Sequence, residues 1–457
     1  MMETAVSPET PHPFLSSPHR TILALSVPVL LSLIAEPLTG LIDTAFIADL
    51  GAVSLAALGV GTAALSSVFW IFNFLGIGTQ TEVAKASGSN QSEQASRTTG
   101  LALLLSMGFG IGIIVLGMVL APAAARALGA EGAVLANAVV YMRVRLFGAP
   151  AVLVVLTAFG AMRGLQDMRT PMLIALVVNA INIGLDALLI PGWGPFPELG
   201  VAGAALASAL AQWVGAAWAL TAVIRRLGWP QQLKWQEAGR LLQVGGDLFV
   251  RTGMLTLFLL ITTRVATQAS AEAGAAHQAI RQFWTFAALG LDALAITAQS
   301  LVGYFMGLKR VDAAKQVAWV GVVWSVALGV LISVVMWGGR AWFIDLFVPD
   351  TAVSVFIPAW WAALLMQPVN ALAFLTDGIH WGTGDFRFLR NGMTAVSLFS
   401  AALLLLINTQ SPHALTWVWV VTAVWIALRA VLGVTRVWPG IGRSPFKELS
   451  PAGYADS

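Results

Sequence analysis

Cysteine is absent from the 457-residue chain. Without a thiol the chain forms neither disulfides nor thiolate metal sites, although this leaves its compartment open. Charge is also scarce, at 10% of residues against about 25% in soluble globular domains. The formal net charge is only +3, with no dense basic cluster or basic-aromatic stripe, so nucleic acid is not an expected partner. No nucleophile elbow, phosphate-binding loop, zincin motif or dinucleotide fingerprint stands where an enzyme needs it. No catalytic activity and no cofactor are therefore expected. A soluble nucleotide-binding domain is likewise missing, which leaves an ion gradient as the economical energy source for any pumping. The first twenty residues hold four prolines and two glutamates, unlike a basic n-region followed by a short apolar one. They are read as a flexible cytoplasmic tail, residues 1–20.

What is abundant is apolar surface, at 58% of residues. Several runs exceed the roughly 18 residues that cross a hydrocarbon core as a helix. Stretches such as Leu101 to Ala121 are continuously apolar, where a membrane barrel needs alternation. The expected fold class is an all-α membrane protein. Its twelve spans fall at 21–47, 54–79, 99–120, 140–162, 170–190, 200–224, 241–268, 275–306, 316–338, 353–378, 389–408 and 414–436.

Seventeen of the 25 lysines and arginines fall in alternate loops, whereas the opposite loops hold only Arg126 and Arg340. Basic residues accumulate on the cytoplasmic side, so both termini are expected there, in a bacterial-type inner membrane. The halves also repeat. Gln80 matches Gln299 and Gly88 matches Gly307 at an offset of 219, with Asn73 opposite Asp292. Pro150 matches Pro368, Asp167 matches Asp385 and Arg169 matches Arg387 at 218. Two six-helix lobes related by a pseudo-twofold axis along the membrane normal follow. The expected boundaries are an amino-terminal lobe at 21–224, a linker at 225–240, a carboxyl-terminal lobe at 241–436 and a cytoplasmic tail at 437–457.

Polar groups inside such spans are expensive and usually face a cavity or a partner. The first span carries Glu36 and Asp43, whose seven-residue spacing puts them on nearly one face. Pro28 and Pro37 on the same span remove backbone donors and create hinge points. A carboxylate on a bendable helix is neutralised by a proton or by a hard cation such as Na⁺; the alternative is a structural acid paired with a buried donor. Asn179, Asn182 and Asp186 share a face of the fifth span, and Ser208 and Gln212 form an i, i+4 pair on the sixth. Packed near Asp43, these make an oxygen-lined pocket; the alternative is interhelical hydrogen-bond glue.

In the second half, His277, Arg281, Asp292 and Gln299 fall near one face of the eighth span, with Arg251 and Arg264 on the seventh and Asn370 and Asp377 on the tenth. Arg251, Arg281, Asp292 and Asp377 are candidates for a substrate cavity or a gate. The alternative is neutralisation of Arg251 or Arg281 by Asp292. Trp360, Trp361, Trp417 and Trp419 read as interfacial anchors.

At these residues the chain resembles the multidrug and toxic compound extrusion (MATE) family, particularly its DinF-like branch. The carriers include Pro-Leu-Thr-Gly-Leu-Ile-Asp-Thr-Ala-Phe-Ile at 37–47, Asn-Ile-Gly-Leu-Asp at 182–186, and Asp-Gly-Ile-His-Trp-Gly-Thr-Gly-Asp-Phe-Arg at 377–387. The resemblance implies two lobes around a V-shaped cavity and export of mostly cationic, amphipathic compounds in exchange for H⁺ or Na⁺. It carries the amino-lobe cation site onto Asp43, Asn182, Asp186 and Ser208, which stands where relatives often have Thr, and helix bending onto Pro28. The carboxyl-lobe glutamate of other branches has no counterpart between Gly246 and Thr263. Small organic substrates and membrane lipid are the implied partners, and the chain is expected to be monomeric. A lipid-linked oligosaccharide flippase of the same wider superfamily is the alternative, kept open by Arg251, Arg264 and Arg281.

Overall fold

A computed structural model describes residues 12–230 and 232–448. Most of the expected amino-terminal tail, residue 231 of the expected linker and residues 449–457 lie outside the described residues. Those described form α1 (Pro13–Ser16), α2 (Pro18–Ala48), α3 (Ala52–Ile71), α4 (Phe74–Gly88), α5 (Ser92–Ala127), α6 (Gly132–Leu146), α7 (Ala149–Gly164), α8 (Arg169–Leu189) and α9 (Val201–Leu227). The second half contributes α10 (Trp235–Ala269), α11 (Ala271–Gly307), α12 (Val311–Gly338), α13 (Arg340–Phe347), α14 (Val353–Leu365), α15 (Gln367–Thr383), α16 (Phe386–Leu405), α17 (Ala414–Val437) and α18 (Pro445–Glu448). Among the described residues there is no strand. A helix bonds its own backbone, as hydrocarbon demands. Val119, Leu116 and Leu406 lie outward and exposed, suited to lipid.

Among the described residues, ten spans are single long helices or, for α3 with α4, a run from Ala52 to Gly88. The fourth is α6 plus α7, bent by 51°, and the tenth is the segment Asp350–Leu365 plus α15, bent by 48°. Counting each bent pair once gives twelve, matching the expected fold class. Both breaks have the same cause. Pro150 and Pro368 stand at the starts of α7 and α15, where a missing N–H is tolerated at a helix start but would break a helix interior.

The internal repeat is visible as reciprocal contacts between the halves. Gln80 Nε2 donates to the Ile296 carbonyl at 2.8 Å, and Gln299 Nε2 donates to the Ile77 carbonyl at 2.9 Å. Thr81 Oγ1 donates to the Trp381 carbonyl at 2.8 Å; its counterpart Ser300 Oγ donates to the Arg163 carbonyl at 2.5 Å. A Cβ on Gly88 would stand 2.0 Å from the Tyr304 oxygen, and one on Gly307 would stand 2.1 Å from the Lys85 oxygen. Only glycine permits this approach of α4 to α11. Each contact and its partner are exchanged by the offsets of 219 and 218 found in the sequence.

Several expectations change. Lys85, read as a loop residue, lies within α4, and its Nζ donates to the Thr383 carbonyl at 2.8 Å across the halves. Residues 12–20, read as flexible tail, form α1 and the start of α2. Phe14 is fully buried against Phe305, while His12 Nε2 meets Gln166 Oε1 at 2.8 Å. Asn73 caps α4 at a break, whereas its counterpart Asp292 lies inside the unbroken α11. Trp360 and Trp419 are core residues, 1% and 2% exposed, because α14 and α17 turn these faces inward; Trp417 remains exposed.

Candidate functional site

The first half holds one tight polar cluster inside its helices. Asn182 and Asp186, one turn apart on α8, join as Asn182 Nδ2 donates to Asp186 Oδ2 at 2.6 Å. Ser208 on α9 donates to Asn182 Oδ1 at 3.2 Å. Asp186 is fully buried, and Asn182 and Ser208 are buried with it. From α2, the Asp43 carboxyl reaches Asp186 closely enough for a hydrogen bond between the two side chains. Two bare carboxylates so placed repel, and a shared proton or an intervening cation would relieve that repulsion. Asp43 Oδ1 and Asp186 Oδ1 are both buried without a donor, which suits either guest.

The surroundings complete the electrostatics. Arg145, in the last turn of α6, is within electrostatic reach of Asp43 and of Tyr141. Its Nη1 is buried without a hydrogen-bond partner. Sequence reading did not single out Arg145 or Tyr141; the signal was the run Tyr141, Arg143 and Arg145 inside the expected fourth span, 140–162. Among the described residues no group of three or more His, Cys, Asp or Glu side chains could hold a metal ion. A cation here would therefore be held by mixed carboxylate, amide and hydroxyl oxygens, a set suited to Na⁺.

Asp43, Asn182, Asp186 and Ser208 are thus brought together. Glu36 is not; it is exposed on α2, and seven residues of helix place it about 10 Å from Asp43 along the axis. Asn179 and Gln212 are half-buried neighbours of the cluster on α8 and α9. Pro28 and Pro37 both lie inside α2, which stays one helix through them.

The second half is organised differently. Asp377 Oδ2 accepts hydrogen bonds from Arg251 Nη2 and from Arg429 Nη2, the latter at 2.8 Å. All three are buried. Arg251 lies over Trp381 at 5.2 Å and Arg429 over Trp425 at 4.4 Å. In the alternative reading Asp292 neutralised Arg251 or Arg281; the ion pair of Arg251 goes to Asp377 instead, and Asp292 feels Arg251 and Arg429 only at longer range. Arg429 was missed by sequence reading, though it was visible as a lone arginine in an apolar span. Arg281 donates to Thr263 Oγ1 at 2.8 Å, beside His277, and Arg264 is exposed. His277, Arg281, Asp292 and Gln299 share a face but not a site, since 22 residues of helix span about 33 Å.

A family model named MatE matches residues 28–188 and 249–409, one block in each half. Protein DETOXIFICATION 44, chloroplastic, from Arabidopsis thaliana is 29% identical over 456 residues, covering 96% of this chain and 85% of that protein. DNA damage-inducible protein F of Escherichia coli K12 is 28% identical, covering 93% of each. A solved outward-facing conformation of a multidrug resistance MATE family transporter superposes with a TM-score of 0.84 at 20% identity, covering 93% of this chain and 97% of that one. With both halves matched, a twelve-span helical fold and relatives aligned along nearly the whole chain, this protein belongs to the MatE family of multidrug and toxic compound efflux transporters.

Proposed function

We propose that the chain is a secondary active antiporter that exports amphipathic, mostly cationic organic compounds by alternating access, in exchange for H⁺ or Na⁺ bound at Asp43. The observation that carries this reading is the Asp43–Asp186 contact, which needs a positive guest. When the guest leaves, repulsion between the carboxyls pushes α2 away from α8, and Pro28 and Pro37 are the weak points where α2 can yield. Asn182, itself bonded by Ser208, holds Asp186, so Asp43 is the member that moves. Asp377 suits a structural role, because two arginines already neutralise it.

Hydrogen bonds joining the halves, among the described residues, cluster on the Lys/Arg-rich face. Taking that face as cytoplasmic, in a bacterial-type inner membrane with both termini inside, the conformation is closed to the cytoplasm. The chain works as a monomer. Arg251 is committed to Asp377, Arg281 to Thr263, and Arg264 is exposed, so the flippase reading loses its shared cationic surface.

The test is uptake of a cationic dye by proteoliposomes under imposed H⁺ or Na⁺ gradients, run separately. Wild type should concentrate dye under one of them, and Asp43→Asn should reach only the equilibrium level. Uphill transport by correctly inserted Asp43→Asn protein refutes the coupling role. Insensitivity of the wild type to both gradients refutes ion exchange.

A further inference from the structure

We infer that the groove between the Lys/Arg-rich ends of α8 and α9 is a binding site for the headgroup of an anionic phospholipid. A cavity of about 200 Å³ lies there, lined among others by Thr170, Trp218, Thr221, Arg225 and Arg226. It combines two guanidinium groups and an indole with two hydroxyls whose protons are already committed, that of Thr170 to Asp167 and that of Thr221 to the Ala217 carbonyl at 2.7 Å, so the guanidinium and indole N–H groups are the donors offered to phosphate oxygens. Asp167 also borders it but is already engaged. Its carboxylate accepts the Thr170 N–H at 3.0 Å and the Thr170 hydroxyl at 2.7 Å, and Arg226 Nη2 lies 3.5 Å away. Arg225 has no ion pair of its own among the described residues, so the site carries a net positive charge.

The helices above the cavity distinguish a lipid from a soluble phosphate. On α9, Arg225, Thr221, Trp218, Val214 and Leu210 follow one another at three- and four-residue steps. They form one stripe that passes from cationic through hydroxyl and indole to exposed aliphatic side chains. On α8, Thr170, Leu173 and Val177 make a second stripe, again with the apolar members exposed. The two stripes run from the polar cavity toward the membrane interior. An anionic headgroup in the cavity would therefore lay its acyl chains along the exposed leucines and valines, whereas a free phosphate would leave them unused. Trp218 sits at the join, the level favoured by indole rings, and the inner leaflet supplies anionic lipid.

The full-length chain in uncharged detergent provides the test, by native mass spectrometry with added dioleoyl phosphatidylglycerol or dioleoyl phosphatidylcholine. One phosphatidylglycerol should be retained in preference to phosphatidylcholine. Its affinity should fall about thirty-fold in Arg225→Gln/Arg226→Gln, given the usual contribution of each basic residue. Both arginines are exposed, so the variant should fold. Phosphatidylglycerol brominated on its chains should quench fluorescence in wild type more than in Trp218→Phe. Equal retention of both lipids, or undiminished binding by the double variant, overturns the assignment. Displacement of the lipid by equimolar inorganic phosphate overturns the lipid and assigns the cavity to a soluble anion.

Discussion

Substituting Gly88 by alanine should open the Lys/Arg-rich face of the protein. The new methyl would lie 2.0 Å from the Tyr304 carbonyl oxygen, 2.9 Å from its carbon and 3.2 Å from the Leu308 nitrogen. All three are backbone atoms, so no rotamer change relieves the overlap. Unstrained contact needs about 3.5 Å between such atoms, which requires α4 and α11 to part by more than about 1 Å. Overpacking of this kind costs about 1–3 kcal/mol, and the closed arrangement alone bears it. The ratio of closed to open molecules should therefore drop about 5- to 150-fold. Because the chain lacks cysteine, Gln91→Cys with Arg310→Cys gives two unique spin-label positions, one on each half, for pulsed distance measurement. Gly88→Ala should broaden the distance distribution and shift it to longer values. Gly307→Ala, its symmetry counterpart with a contact of 2.1 Å, should do the same. Gly108→Ala is the control, since a Cβ there meets nothing within 4 Å. Unchanged distributions in both seam variants would refute the idea that the halves separate at α4 and α11.

Two further outcomes follow from individual side chains. His12 bridges the halves through Gln166 and rings of α11, and burial pulls its pKa below the ordinary 6.5. The docked segment therefore favours neutral imidazole. Its docking is fully stable above the ordinary value and weakens as pH falls below it toward the lowered one. A spin label at Ser16→Cys should gain mobility between about pH 7.5 and about pH 5.5, and constant mobility would contradict this. Arg163 is half-buried, with Ser32 Oγ as a distant hydrogen-bond acceptor at 3.3 Å, the Phe159 ring 5.6 Å from its guanidinium carbon and no ion pair among the described residues. Arg163→Met should raise the melting temperature, because a half-buried cation without an ion pair is replaced by an apolar chain of similar length that can keep the contact with Phe159; a lowered melting temperature would show that the charge itself is stabilising there.

The membrane spans were legible because long apolar runs have few physical alternatives, and the repeat was legible through Gln80, Gln299, Pro150 and Pro368. What the repeat meant was not. Equal residues at equal offsets do not reveal that each glutamine bonds the other half's backbone, since that depends on how two helices meet. The acidic cluster followed from spacing on α8, where one turn separates Asn182 from Asp186. Glu36 was misjudged as a companion of Asp43 because helical periodicity reports direction around the axis and ignores height along it. Lys85 was assigned to a loop because a charge near the end of an apolar run ordinarily marks the membrane boundary. Here the Thr383 carbonyl supplies the partner that keeps Lys85 within the helix.

Symmetry survives in this protein along the seam and in the Asp167–Asp385 and Arg169–Arg387 pairs, and disappears at the buried acids Asp186 and Asp377. The seam contacts require particular shapes on both sides of the axis, so neither half can change alone. The acidic cluster carries no such constraint. At the 218-residue offset, the places of Asn182 and Asp186 are taken by Ser400 and Leu404, both fully buried. In the reverse direction, the place of Asp377 is taken by Phe159. Each half therefore retains an acid at a position where the other has none. The surroundings differ as well: two arginines neutralise Asp377, whereas Asp43 and Asp186 face each other and, in the exchange proposed above, are left to a mobile cation. An exchanger built from two similar halves needs only one such frustrated pair. In the exchange proposed above, unloading the pair strains a single helix, α2, and the reciprocal seam would carry that strain to both halves together.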